Sequence, residues 1–194
     1  FLRMLLPLVL AENWRLREER RWVEGVMANR GQRSRLVHER LHRLAEEYGL
    51  GVGPEKTEEV IAQLYERIDE LPPALVLAQA ANESGWGTSR FSREANNLFG
   101  EWTYNAAEGI LPLRRLPGAR HYVRRFAQPY DSVRSYMKTI NRGRAYASLR
   151  KLRAGMRREG RDLDPVLLAN GLVRYSEMGM AYVAAIQALI RGNR

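Results

Sequence analysis

Apolar residues return at helical spacing through most of this chain, and the places where the rhythm stops mark its joints. From Leu5 to about Ala28 apolar and charged positions alternate in steps of three and four, which predicts a long amphipathic helix. The stretch "RSRLVHERLHRLAEEYGLG" repeats the pattern, with Val37, Leu41, Leu44 and Tyr48 facing inward and Gly49 as the stop. A third helix follows in "TEEVIAQLYERIDEL", capped by Thr57 and striped by Val60, Ile61, Leu64 and Ile68.

"PPALVLAQAANESG" changes character. Its prolines suit a helix start, and Ala74 to Ala81 are apolar on nearly every face, as in a helix buried all round. Gly85 and Gly87 end it. Further on, Ile110 to Phe126 reads as two short strand-like runs about Pro117-Gly118, a hairpin signal and the one convincing piece of β-structure. Ser132 to Asn141, Ala145 to Arg158, Pro165 to Gly171 and Met178 to Ile190 then read as helices, with "EGRDLDP" as a loop. The expected class is α+β and mostly α, with residues 1–70 as an N-terminal helical segment packed on a domain spanning 71–194.

Composition narrows the partners without choosing one. A chain of 194 residues, 45% hydrophobic, suits one well-packed core. The absence of cysteine excludes disulfides and thiolate zinc sites. Lys and Arg number 32 against 22 Asp and Glu, a formal charge of +10 that favours nucleic acid, an acidic membrane face, or a cell-wall polymer bearing carboxylates. No helix-turn-helix, zinc-finger or RNA-recognition pattern supports nucleic acid. The opening "FLRMLLPLVLAENW" resembles a signal-peptide core, but Arg3 interrupts it, Pro7 breaks it and no small-residue cleavage pattern follows. An amphipathic helix is expected there, with any export signal lying upstream. Peripheral membrane contact and oligomeric state stay open.

The candidate chemistry centres on Glu83. It falls in the last turn of the buried helix, where unpaired carbonyls make the potential negative and disfavour a carboxylate. Burial beside Trp86 would push the same way, towards a carboxyl still protonated near neutral pH, which is what a glycosidase general acid needs. Gly85 and Gly87 would let a bulky substrate approach the backbone. The local text fits equally an exposed helix-end glutamate paired with an arginine, with Trp86 as core.

"ALVLAQAANESGWGTSRFSREANNLFG" resembles the catalytic segment of bacterial glucosaminidases of glycoside hydrolase family 73, within it the Bax-like subgroup. The likeness extends through "LLPLVLAEN", "RAYASLRKLR" and "GLVRYSEMGMAYVAAI". It implies a lysozyme-like helical domain with a β-hairpin flanking a groove, and cleavage of peptidoglycan glycan strands beside N-acetylglucosamine. On that resemblance Glu83 is the general acid, Trp86 lines the groove, and Asn97, Leu98, Phe99 and Gly100 match the "NLFG" signature. Asn97 and Gly100 are expected to shape a turn and Phe99 to pack. A groove tyrosine of the family maps onto Tyr175, with Tyr182 as the alternative.

One departure stands out. Many members of that family carry a second carboxylate on the hairpin, whereas Ile110 to Phe126 holds neither Asp nor Glu. Glu108, at the hairpin base, is the nearest substitute, ahead of Glu101; the alternative is attack by the substrate's own acetamido oxygen. Trp102 and Tyr104 offer flat faces for sugar stacking, and Arg114, Arg115, Arg120, Arg124 and Arg125 could hold peptide-stem carboxylates. "HERLH" spells a zinc-peptidase pattern through His38, Glu39 and His42, with Glu58 or Glu59 as a conceivable third ligand, but a solvated helix face explains it as well. His121 has no evident partner in sequence. The expectation is an extracytoplasmic, periplasmic enzyme needing neither metal nor organic cofactor: an endo-β-N-acetylglucosaminidase, with a lytic transglycosylase or a non-catalytic peptidoglycan or polyanion binder as alternatives.

Overall fold

The computed structural model describes residues 1–29, 31, 33–51, 56–112, 118 and 120–193. Its helices are α1 (Leu2–Ala28), α2 (Arg35–Glu47), α3 (Thr57–Arg67), α4 (Pro73–Ser84), α5 (Arg90–Ala95), α6 (Pro129–Arg142), α7 (Ala147–Arg158), α8 (Pro165–Ala169) and α9 (Met180–Gly192). A small antiparallel sheet of β1 (Trp102–Thr103), β2 (Gly109–Ile110) and β3 (Tyr122–Arg124) lies between α5 and α6 in sequence, with β3 central. The mostly-α, α+β class expected from sequence is the class observed.

The apolar stripes predict the core closely. Leu41, Leu44 and Tyr48 of the second stripe are buried, as are Val60, Ile61, Leu64 and Ile68 of the third. They join residues of α1, α4, α6, α7 and α9 in one continuous cluster. Pro7 lies inside α1, on its exposed side, where water can satisfy the carbonyl that a proline cannot reach. Gly49 turns left-handed directly after α2, where its φ of 67° closes the helix. Thr57 does not cap α3: it is the first helical residue, and Lys56 stands at the cap position without a side-chain bond.

Two elements escaped the sequence patterns. The six residues of α5 are too few for a periodic stripe, and Ser89 starts the helix by accepting from Ser92 N. The strand β1 is only two residues long and exists by pairing, Trp102 with Val123 and Thr103 with Tyr122. The predicted hairpin is therefore the outer part of a three-stranded sheet in which β2 pairs with the other edge of β3. Pro117 of the predicted turn, with Arg114 and Arg115, lies outside the described residues.

Long-range clamps hold α4 in place. The Asn13 side chain on α1 pairs in both directions with the Leu71 backbone, just ahead of α4: Nδ2 donates to the carbonyl at 2.7 Å and Oδ1 accepts from the amide at 3.0 Å. A separate close approach joins α7 to the segment after α8, where a β-carbon added at Gly171 would lie 2.4 Å from both Cα and Cβ of Leu149. Backbone cannot yield as a flexible side chain can. Gly171→Ala is therefore expected to destabilise the fold by about 1–3 kcal/mol, read as a lowered urea midpoint; an unchanged midpoint would contradict this packing.

Candidate active site

Glu83 occupies the last turn of α4, one helical turn after Gln79, so the two side chains share a face. Into that face the Tyr182 hydroxyl from α9 donates to Glu83 Oε1 at 2.8 Å. The same hydroxyl oxygen accepts from Gln79 Nε2 at 2.9 Å, and Gln79 Oε1 accepts from the Tyr136 hydroxyl of α6. Asn82 Nδ2 adds a donor to Glu83 Oε1 at 3.2 Å. Gln79, Tyr136 and Tyr182 are buried, whereas Glu83 is half-buried. The carboxyl is thus anchored from within and open to solvent on its other side.

Around it the tyrosines stack. Tyr175 lies over Tyr182, with ring centres 5.3 Å apart and planes 12° apart, and its hydroxyl donates to the Phe99 carbonyl at 3.2 Å. Tyr175 also meets the edge of Tyr136, while Phe99 stacks on Tyr136 at 3.9 Å. Burial, then the negative charge of Glu83, raises the Tyr182 hydroxyl far above its ordinary value. Burial is also the main cause that raises Tyr136 and Tyr175. These hydroxyls therefore remain neutral donors at any working pH.

Three consecutive residues after α4, Gly85, Trp86 and Gly87, adopt left-handed backbone, with φ of 56°, 58° and 80°. Glycine does so freely, but Trp86 pays a steric cost of about 1–2 kcal/mol. Ser84 stabilises the turn, accepting from Gly87 N at 2.8 Å while donating to the Ala80 carbonyl at 2.6 Å. The turn carries the Trp86 ring to the edge of Phe1 and to an apolar pocket lined by Leu2, Leu77, Ala78, Ala81 and Leu189. Those α4 positions lie across the helix from Gln79 and Glu83.

A second carboxyl shares a neighbour with Glu83. Tyr146, in the 3-10 turn before α7, is raised by burial and by the charges of both Glu101 and Glu83. Glu101 Oε2 accepts from Ser135 Oγ at 2.7 Å, with Arg124 Nη1 at 3.8 Å, and Glu101 Oε1 is buried without a hydrogen-bond partner among the described residues. Burial raises its pKa against the pull of Ser135 and Arg124. Glu108 sits at the base of the hairpin, immediately before β2, exposed and accepting from Asn105 Nδ2 at 3.0 Å.

Residues 59–193, more than half of the chain, match the family model described as mannosyl-glycoprotein endo-beta-N-acetylglucosaminidase. The chain belongs to this glucosaminidase family. It is also 30% identical, over 194 residues covering all of this chain and 69% of the other, to the protein bax of Escherichia coli (strain K12). No solved structure matches it significantly. The family agrees with the likeness drawn from "ESGWG" and "NLFG", and makes a glycan the expected ligand of the site.

Within this glucosaminidase-family domain the remaining candidates take distinct places. Asn97 is buried and its amide is spent on backbone: Nδ2 donates to the carbonyls of Glu101 and Arg124, and Oδ1 accepts from Glu101 N. It ties the turn containing Gly100, at φ 69°, to β3. Trp102 is exposed on β1 and stacks on His121 at 4.0 Å, so His121 does have a partner. Tyr104 is the most exposed aromatic residue of the pair, at 77% against 61% for Trp102. His38 turns back onto the Ser34 carbonyl and His42 faces Glu46, both on the exposed side of α2. Gln79, Tyr136 and Tyr146 drew no attention in sequence. Gln79 at least carried a signal, as the one polar residue between Ala74 and Ala81.

Proposed function

We propose that the chain is an endo-β-N-acetylglucosaminidase of peptidoglycan, working outside the cytoplasm, with Glu83 as general acid. The single observation that carries the reading is the hydrogen bond from the buried Tyr182 hydroxyl to Glu83 Oε1, in a chain of the glucosaminidase family. Cleavage requires Glu83 to deliver its proton to the leaving sugar oxygen, and negative charge then develops on its carboxyl. Tyr182 stands ready to stabilise that charge. Trp102 and Tyr104 present exposed aromatic faces to the sugar rings, and Tyr175 braces Tyr182 from behind.

A lytic transglycosylase is the second reading, favoured by one observation: among the described residues, no strand of the sheet carries an Asp or Glu to activate water. There Glu83, having given up its proton, would act as base and close an anhydro ring. Glu108 and Glu101 are the carboxyls available for the hydrolytic route, and the acetamido group of the substrate is the alternative to both.

Digestion of purified peptidoglycan, followed by borohydride reduction and mass spectrometry of the fragments, tests the reading. Reduced N-acetylglucosamine ends are expected. Products lighter by one water would replace it with the transglycosylase, and intact glycan across pH and salt would leave a binding module.

A further inference from the structure

The hydrogen bonds behind Glu83 have a direction, and one buried amide sets it. Gln79 has no solvent exposure, and both ends of its side chain are engaged, Oε1 by the Tyr136 hydroxyl and Nε2 by the Tyr182 oxygen. A tyrosine hydroxyl owns a single proton. Because Gln79 donates to Tyr182, the Tyr182 proton is left for Glu83, which receives it at 2.8 Å. Were the amide turned about, its oxygen would draw the Tyr182 proton inward and its nitrogen would donate to Tyr136. Every buried group would still be satisfied, but Glu83 would lose its buried donor and keep only Asn82 Nδ2, at 3.2 Å.

We infer that Gln79 is a positioning residue, which acts through Tyr182 to keep a hydrogen bond pointed at the Glu83 carboxylate. This rests on Glu83 being the general acid. The arrangement opposes the negative end of α4. It lowers the cost of the charge that appears on Glu83 as the proton leaves, and so acts on the chemical step rather than on binding.

The titratable groups facing Glu83 are Tyr182 on α9, Tyr175 in the turn before it, Tyr136 on α6 and Tyr146 before α7, with Glu101 within reach of Tyr146. The tyrosines stay neutral, and Glu83 makes no ion pair with Lys or Arg among the described residues.

The test is a double-mutant cycle on the whole chain, with Gln79→Met, Tyr182→Phe and both together, assayed for peptidoglycan cleavage with kcat and KM determined separately. Gln79→Met is expected to lower kcat about tenfold with KM little changed. In the Tyr182→Phe background the same substitution should change neither. Gln79→Glu keeps the shape of the side chain but, once ionised, cannot donate to Tyr182; it carries the same test if the methionine variant does not fold, and kcat should again fall with KM little changed. An unchanged kcat in a folded variant, or an equal loss in both backgrounds, would overturn the role of Gln79 while leaving Glu83 as the acid. A wild type that cleaves no peptidoglycan would instead overturn the reading of Glu83.

Discussion

Replacing Glu83 by glutamine is expected to lower glycan cleavage by about a thousandfold, within the span that a general acid contributes. The substitution keeps the size of the side chain and leaves an oxygen to accept from Tyr182, so the network around Gln79 and Tyr136 has no reason to collapse. What it removes is the transferable proton. Release of reducing ends from peptidoglycan measures the loss, and glycan co-sedimentation and the thermal midpoint should both stay near wild type. Retention of more than a tenth of the activity would end the assignment of Glu83 as proton donor.

The largest effect on stability is expected from Arg153→Met, far from that carboxyl. Arg153 on α7 is 1% exposed, yet its guanidinium is fully used. It donates to the carbonyls of Glu66, Arg67, Asp69 and Glu70 at 3.1 to 3.3 Å and to Asn141 Oδ1 at 2.7 Å, with Asp69 Oδ2 3.6 Å from Nε. The first two of those carbonyls close α3, where helical partners run out. Methionine fills much of the volume but leaves the carbonyls and the buried Asp69 without this donor. A loss of about 3–5 kcal/mol is expected, seen as a fall in thermal midpoint on the order of 10 °C.

The pH dependence of that loss has a definite sign. Burial raises Asp69, but Arg153, then Arg157 and Arg20, outweigh it and hold the carboxyl below its ordinary 3.8. A folded-state value below the unfolded one means stability that is complete above the unfolded value and is lost as pH falls through the folded one. In Arg153→Met the Asp69 value rises, so acid destabilisation should begin at a higher pH than in the wild type. Thermal midpoints measured from neutral pH down to about pH 3 check this; parallel curves for the two proteins would show that Asp69 and Arg153 are not coupled.

Much of the fold was legible because burial leaves a periodic trace. A helix lying on a core must repeat its apolar residues every three to four positions, and the stripes of α2 and α3 and the all-round apolar text of α4 did so. Glu83 was visible for a related reason: a carboxylate closing an apolar helix, followed by glycines, breaks the pattern that packing alone would write. Short elements leave no such trace. Neither α5 nor β1 is long enough for a period, and β1 depends on β3, some twenty residues away. The sequence reading places Tyr175 ahead of Tyr182 as the groove tyrosine, but nothing in local order says which ring faces Glu83. The turn of α9 aims the Tyr182 hydroxyl at Glu83, while Tyr175 reaches the Phe99 carbonyl.

By itself the sequence determined the mostly helical class, the core-facing residues of its long helices, the family likeness and the carboxyl at the end of α4, because each is written in local order or in a contiguous motif. Only the tertiary structure decided which groups surround that carboxyl. Gln79, Tyr136 and Tyr182 come from α4, α6 and α9, and the hydrogen bonds that give Glu83 its donor span as many as 103 positions of chain. Hydrogen bonds act over about 3 Å, so contacts of that kind come into being only when packing has brought the helices together.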